Sequence, residues 1–222
     1  MLHGDASITA NFRNKDPINF FFDELRRYIG RNGTILVPSF TYSFCRKKIF
    51  DVQKTKSEVG LFSEIFRKRK NILRTKHPIF SFSISGKLSN FFKNSDNKSC
   101  FGPKSIFAKF HKKNGLIIVI GRNFEYGATF LHYIEENFKV EYRYKKIFTG
   151  RIFDNKKISH SKVTYFVRNL KLDSSLKHKK DMYKILNKKK FNRLLNVSVR
   201  CNKLFDYCKK KIKYNKNYLI EK

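Results

Sequence analysis

Three side chains near the middle of the chain have the types and the spacing to form a proton-accepting base. Thr129, His132 and Glu135 follow one another at intervals of three residues, and Glu136 offers a second carboxylate one position later. Residues three and four apart share one face of a helix, so the imidazole and a carboxylate meet if residues 130–138 are helical. A carboxylate that orients an imidazole raises its basicity, and the pair can take a proton from an attacking amine.

The same residues permit two other interpretations. A histidine on a partly apolar helix can be structural, and spacing alone does not separate that role from a base. A metal site would need further ligands, and the sequence has no HExxH or Glu-x-x-His motif. We therefore predict no metal site. Spacing leaves two alternatives open: a base formed by His132 with Glu135 or Glu136, and a structural histidine.

The segment before this helix is predicted to place it at the end of a strand. Residues 116–120 form an unbroken, β-branched apolar run, which is typical of a strand buried on both faces. Gly121 and Gly127 supply backbone freedom for the loop that follows. Thr129 is then predicted as the N-cap or a first-turn residue of the helix.

Other segments show weaker but readable patterns. Only Met1 and Leu2 precede His3, so we expect either a truncated start or a vestigial first strand. The patterns predict a helix over 16–29 with Asp16 as N-cap, a strand over 34–38, a helix over 55–68, a strand ending near Gly86, a helix over 106–111, a hairpin of 148–153 with 158–167, a basic helix over 181–195, a strand near 197–201 and a last helix to about Lys213.

Length and composition predict one domain over residues 1–222, with the basic part 145–222 integral or a small subdomain. The chain has 222 residues, 41% of them hydrophobic, enough for one substantial core. It has no apolar window of about 18 residues and no apolar signal-peptide core, so we expect no membrane span and a cytoplasmic location. Four scattered cysteines without a CxxC pair are expected to stay reduced.

Net charge is the most unusual property of the composition. Fifty Lys plus Arg against 17 Asp plus Glu give +33, a balance that favours a polyanionic partner such as nucleic acid. The excess residues are also those with A/T-rich codons, and the basic residues are spread along the whole chain. We favour a solvated basic surface, and keep a non-catalytic protein that binds nucleic acid or an anionic surface as the alternative function.

Several segments, in order, resemble the aminoglycoside 3-N-acetyltransferase family. They are His3-Gly4-Asp5, residues 33–42 (GTILVPSFTY), 57–67 (SEVGLFSEIFR), 74–81 (RTKHPIFS), Phe101-Gly102 with Ser105, and 129–135 (TFLHYIE). Together they span nearly the whole chain. Phosphate-cradling motifs of ATP or dinucleotide enzymes are missing from the sequence, and a coenzyme with a thioester arm does not require them.

The resemblance implies a three-layer α/β/α fold with a central mixed sheet, to which the C-terminal hairpin and basic helices are added. It implies acetyl-coenzyme A as donor, an amino sugar as acceptor, and His132 with Glu135 as base and acidic partner. The family's cleft loops fall on a set of residues that we predict to bind the coenzyme: His3, Asp5, Ser39, Thr41, Tyr42, Arg74, His77 and Ser81. Donors near Ser39 and Thr41 are expected to stabilise the oxyanion.

The acceptor and the assembly state are less determined. The family usually has a small hydroxyl residue where this chain has Asp5, and relatives with Asp resemble enzymes that handle sugars of surface polysaccharides. Aminoglycosides are polycations and suit a +33 protein poorly, whereas a nucleotide-linked amino sugar carries phosphates. The sequence leaves the oligomeric state open, with a homodimer as one alternative.

Overall fold

The fold was determined as a computed structural model that describes residues 1–9, 12–172, 179–191 and 194–220. Its helices are α1 (Pro17–Ile29), α2 (Leu61–Lys68), α3 (Ser89–Lys93), α4 (Ile106–Lys112), α5 (Thr129–Asn137), α6 (Lys179–Met182) and α7 (Cys201–Tyr214). Its strands are β1 (Leu2–Gly4), β2 (Thr34–Pro38), β3 (Phe50–Asp51), β4 (Leu73–Arg74), β5 (Phe82–Gly86), β6 (Leu116–Ile120), β7 (Arg143–Asp154), β8 (Lys157–Arg168), β9 (Asn187–Phe191) and β10 (Leu194–Arg200).

Three sheets take the place of the single central mixed sheet that the resemblance implies. Within the described residues, the strand orders are β1-β6-β10-β9, β2-β5-β4 and β3-β7-β8. In the first sheet β1 pairs with β6 in parallel and β10 pairs with β6 antiparallel. The fold is thus mixed α/β, as predicted, and the three-layer arrangement stays a prediction.

Strand β6 connects the two hydrophobic cores. Ile117 and Val119 belong to the larger core, which includes residues of α4, α5 and α7, and Ile118 and Ile120 pack against the smaller core between α1, α2 and β2. The prediction of a strand buried on both faces is half right. Only the face of Ile117 and Val119 is fully buried, because cavities lie along the other one.

Helix α1 shows how closely local sequence can fix an element. Asp16 caps it by accepting a hydrogen bond from the Asn19 backbone N–H, Pro17 occupies the first turn, and Gly30 follows its end with a φ of 67°. Each of these residues satisfies or tolerates the backbone geometry of a helix end. The predicted boundaries of α1 are confirmed.

Other boundaries were predicted less well. The helix predicted from Thr55 begins only at Leu61, because Gly60 has a φ of 105° that breaks the helical path. The hairpin is longer than predicted, since β7 begins at Arg143 and β8 ends at Arg168.

The basic helix predicted over 181–195 is wrong. Helix α6 ends at Met182, and the lysine-rich segment after it is β9, which pairs antiparallel with β10. Residues 192 and 193 lie outside the described part. Residues Leu194–Arg200 then form β10, and Cys201, predicted in the strand, instead begins α7.

No described helix has the length and apolar character needed to cross a membrane.

Candidate functional site

Two glycines bring the predicted catalytic helix close to β6. Gly121 turns the chain with a φ of 73°. Gly127 serves close packing instead, because an added Cβ would lie 2.2 Å from Val119 Cγ2 and 3.3 Å from the His3 ring. Ala128 is the N-cap of α5 and makes no side-chain cap, so Thr129 is a first-turn residue.

Replacing Gly127 by Ala is expected to destabilise the fold. The added methyl group must displace Val119 or the backbone of the turn, and overpacking of this kind costs about 1–3 kcal/mol. The free energy of unfolding from urea titration measures the loss. A Gly127→Ala variant as stable as the native protein would contradict the packing described.

His132 and Glu135 form the predicted pair. His132 Nδ1 lies 2.8 Å from Glu135 Oε2, and the two side chains are 33% and 5% exposed. Within the described residues, Nε2 of His132 has no hydrogen-bond partner in the structure, and it is not among the buried unpartnered atoms. The ring is therefore anchored at Nδ1, and Nε2 is its open nitrogen.

Two residues that the sequence analysis missed complete this cluster. Tyr142 donates a hydrogen bond of 3.0 Å to Glu135 Oε1. Arg143, the first residue of β7, places Nε 2.8 Å from Glu135 Oε2 and Nη2 2.8 Å from His132 Nδ1. The Nε contact is an ion pair that lacks the alignment of a hydrogen bond. Two positively chargeable groups therefore share one buried carboxylate.

The surroundings keep His132 neutral and Glu135 ionised. Burial lowers the pKa of His132, the charge of Arg143 lowers it further, and Glu135 acts in the opposite direction. Burial alone would raise the pKa of Glu135, but contacts with His132, Arg143 and Tyr142 outweigh it and lower the pKa. A neutral imidazole beside a carboxylate can accept a proton at neutral pH.

The pair faces a small cavity of about 110 Å³ that also contacts Arg168, Asn169 and the C-terminal Leu219 and Ile220. A separate cleft of about 550 Å³ is lined by Thr129 in the first turn of α5, next to Ala128, which lines the small cavity. Ligand sites for small molecules usually measure about 300–1,000 Å³, so the larger cleft has the volume for a ligand.

Three of the predicted coenzyme-binding residues line the larger cleft: His3, Asp5 and Tyr42. Asp5 forms an ion pair with Arg122, and the Arg122 guanidinium lies 4.7 Å from the centre of the Tyr126 ring. His3 Nε2 is buried and has no hydrogen-bond partner among the described residues.

Ser39, Arg74 and Ser81 are brought together, but none of them lines the cleft, although Pro38 and Phe40 on either side of Ser39 do. Arg74 is 6% exposed, donates to the Ser39 carbonyl at 2.8 Å and to the Ser81 hydroxyl at 3.1 Å, and also bonds carbonyls of the 52–55 turn. The Ser39 hydroxyl lies 2.6 Å from that of Ser83. These side chains hold the loops together, and a direct contact with the coenzyme stays a prediction.

The donors expected for the oxyanion are already engaged. The backbone N–H groups of Ser39 and Thr41 bond the carbonyls of Ser81 and Ile79, and the Thr41 hydroxyl donates to Glu58 at 2.8 Å. Both backbone N–H groups and the Thr41 hydroxyl therefore already have acceptors, and the Ser39 hydroxyl contacts that of Ser83. Glu58 also accepts from Tyr42 N–H and Arg46, so it fixes the loop that carries Tyr42.

His77 is a loop-fixing residue in this structure. It is 4% exposed, its Nδ1 accepts from the backbone N–H groups of Ile79 and Phe80 at 3.2 and 2.9 Å, and it lines neither cavity. Burial lowers its pKa to about 4. A role in coenzyme binding stays a prediction.

Two further kinds of group could add chemistry to this site: side chains that bind a metal ion, and the four cysteine thiols. The described residues contain no group of three or more His, Cys, Asp or Glu placed to hold a metal ion. All four cysteines are free thiols.

Comparisons with known proteins cover nearly the whole chain. The family model described as aminoglycoside 3-N-acetyltransferase matches residues 1–213. No curated protein sequence matches the chain significantly.

Solved structures show the same fold at low sequence identity. The chain is similar to AAC-IIIb in a binary complex with CoASH (TM-score 0.75, 16% identity, 95% of this chain and 90% of that chain). It is also similar to a histidine-to-alanine mutant of aminoglycoside acetyltransferase AAC(3)-IVa in complex with a gentamicin (TM-score 0.74, 18% identity, 100% and 84%). The YokD protein from Bacillus subtilis has a TM-score of 0.78 (16% identity, 96% and 91%).

Proposed function

Because the chain belongs to the aminoglycoside 3-N-acetyltransferase family, we propose that it transfers the acetyl group of acetyl-coenzyme A to the amine of an amino sugar, with His132 as the base. The observation that carries this proposal is the His132 ring, which is anchored to Glu135 through Nδ1 at 2.8 Å and open at Nε2. A solved structure of similar fold contains CoASH, and another contains a gentamicin.

The residues supply positioning and proton transfer. Acetyl-coenzyme A supplies an acyl group on a thiolate leaving group. As the amine nitrogen attacks, a C–N bond forms and the C–S bond breaks. His132 Nε2 takes the proton of the amine and can return it to the departing thiolate, while Glu135 keeps the ring oriented. A base of this kind contributes about 10²–10⁴-fold to the rate.

The larger cleft fits the phosphates of a coenzyme. The first turn of α2 faces it with Leu61, Phe62 and Ser63, and no side chain caps this helix. Uncapped backbone N–H groups at a helix start attract phosphate groups, and Arg122 adds a positive charge. We assign Asp5 the role of a counter-ion that holds Arg122 in place.

The charges around His132 favour an acceptor that carries an anionic group. Arg143 and Arg168 line the small cavity, and its carboxylate, Glu135, is already paired. The carboxylate that lines the larger cleft, Asp5, is paired with Arg122. A polycationic aminoglycoside therefore meets no unpaired carboxylate among the residues that line either cavity, whereas a nucleotide-linked amino sugar finds complementary charge.

An acceptor panel tests the proposal. Release of free thiol from acetyl-coenzyme A is measured with nucleotide-linked amino sugars, neutral amino sugars and gentamicin. We expect turnover with the anionic acceptors, and kcat/KM values at least about tenfold higher than for gentamicin. Preference for gentamicin would overturn the acceptor assignment, and no thiol release with any acceptor would overturn the acetyl-transfer proposal.

The alternative function, a non-catalytic protein that binds nucleic acid or an anionic surface, predicts no thiol release from acetyl-coenzyme A. A non-catalytic basic protein would bind DNA with steep salt dependence and show no heat-stabilisation by acetyl-coenzyme A. The assembly state, with a homodimer as one alternative, is read from the same preparation by light scattering.

A further inference from the structure

Arg143 contacts the same nitrogen of His132 that Glu135 contacts. Arg143 Nη2 and Glu135 Oε2 both lie 2.8 Å from His132 Nδ1. A guanidinium can only donate, and a carboxylate can only accept. A single Nδ1 cannot accept from Arg143 and donate to Glu135 at the same time, so the two contacts belong to different protonation states of the ring.

Each contact selects a different tautomer. When Nδ1 donates to Glu135, Nε2 has a free lone pair and can act as a base. When Nδ1 accepts from Arg143, the neutral ring carries its proton on Nε2 and cannot accept another one there. The contact with Arg143 is also lost when the ring is doubly protonated, because both nitrogens of an imidazolium are donors and Nδ1 can then accept no hydrogen bond.

We propose that Arg143 is a positioning residue that competes with Glu135 for Nδ1 of His132 and thereby sets both the tautomer and the charge of the catalytic ring. This inference rests on the proposed function only in calling the ring catalytic. The competition itself follows from the three contacts and from the 7% exposure of the Arg143 side chain, which leaves little water to screen its charge.

The other charged groups around the ring do not duplicate this role. Glu135 lies on the same helix, Arg143 comes from β7, and Arg168 comes from the end of β8 and lines the same cavity. Arg168 also lowers the pKa of His132, but its effect is smaller than those of burial, Arg143 and Glu135. Tyr142 donates a hydrogen bond to Glu135, and among the described residues it makes no hydrogen bond to the ring.

Arg143 fixes the start of the hairpin as well. Its Nη1 donates to the Phe166 carbonyl on β8 at 3.2 Å. Movement of the β7–β8 hairpin would therefore carry the guanidinium relative to α5 and change the balance between the two tautomers.

The test is an Arg143→Met variant studied by nitrogen-15 NMR of the His132 side chain. Spectra at one pH give the tautomer population, and a pH titration gives the midpoint of His132. We expect the population of the tautomer with hydrogen on Nδ1 to rise. The titration midpoint of His132, and the acid limb of the pH–rate profile, are expected to move upward by at least about one pH unit, because a positive charge in contact with the ring is removed. Arg143→Lys keeps the positive charge, so its titration midpoint should stay close to that of the native protein.

The control is Arg151→Met, the same change on the same strand at an exposed position, which should leave the midpoint and the tautomer unchanged. Glu135 keeps His132 and Tyr142 as partners in the Arg143 variants, and Arg143→Gln offers a second neutral form. An unchanged tautomer population and midpoint in a folded Met or Gln variant would overturn the inference. The NMR measurement needs no substrate, so a failure of the proposed acetyl transfer would be recognised separately by the acceptor panel.

Discussion

His132→Ala is expected to lower the rate of acetyl transfer by about 10²–10⁴-fold. An amine must lose a proton as it attacks, and the open Nε2 of His132 is the acceptor that the site provides, since Glu135 is 5% exposed and paired with Arg143. Coenzyme binding should persist, because His132 does not line the larger cleft. Thiol release under saturating acceptor measures the rate.

Two measurements separate loss of the base from loss of the fold. Binding of coenzyme A at about 100 times its Kd should stabilise the variant and the native protein alike against unfolding, by about 2.7 kcal/mol. His160→Ala serves as control, because His160 lies on an exposed stretch of β8, and its turnover should match the native rate. Native-like turnover in His132→Ala would remove the proposed base.

Acidification from about pH 7 to pH 5 is expected to lower the free energy of unfolding by about 4 kcal/mol through His3 and His77 alone. Burial lowers the pKa of His77 to about 4, and burial with the N-terminal charge lowers that of His3 to about 3. At pH values between these folded pKa values and the ordinary value of 6.5, both histidines are protonated in the unfolded chain but neutral in the folded protein. Stability is therefore fully present above a pH of about 6.5 and is lost as the pH falls toward the folded values.

A loss of this size is a large share of the roughly 5–15 kcal/mol that ordinary domains have. Urea titrations at several pH values measure it. His77→Asn keeps an acceptor for the Ile79 and Phe80 N–H groups but does not titrate, so its stability should depend on pH less steeply, by about 1.4 kcal/mol per pH unit. His160→Asn should keep the native slope. A stability that is flat across this pH range would contradict the burial of these rings.

The sequence predicted those features that depend on local interactions. The cap of α1 by Asp16 and the helical spacing of His132 and Glu135 require only neighbours along the chain, and the structure has both. Local patterns gave the wrong secondary structure where pairing with a distant segment determines it. The lysine-rich segment 187–191 reads as a helix, yet it is an edge strand because β10 offers it a ladder of hydrogen bonds.

The cleft residues show the same limit. The motif residues Ser39, Arg74 and Ser81 are adjacent in the fold, but their polar atoms bond one another and nearby carbonyls. A motif cannot tell whether a hydroxyl faces a ligand or a backbone carbonyl, because that depends on which loops pack beside it. Arg122 and Glu58, which the sequence analysis did not single out, hold Asp5 and the Tyr42 loop instead.

By itself, the sequence determined the spacing of His132 and Glu135, the order of the motifs and the family, since each depends on residues that are close along the chain. Only the tertiary structure placed Arg143 against both members of the pair and left Nε2 of His132 open. The start of β7 reaches α5 through strand pairing across the whole hairpin. Contacts between elements that are separate in sequence arise from packing, and no local pattern encodes them.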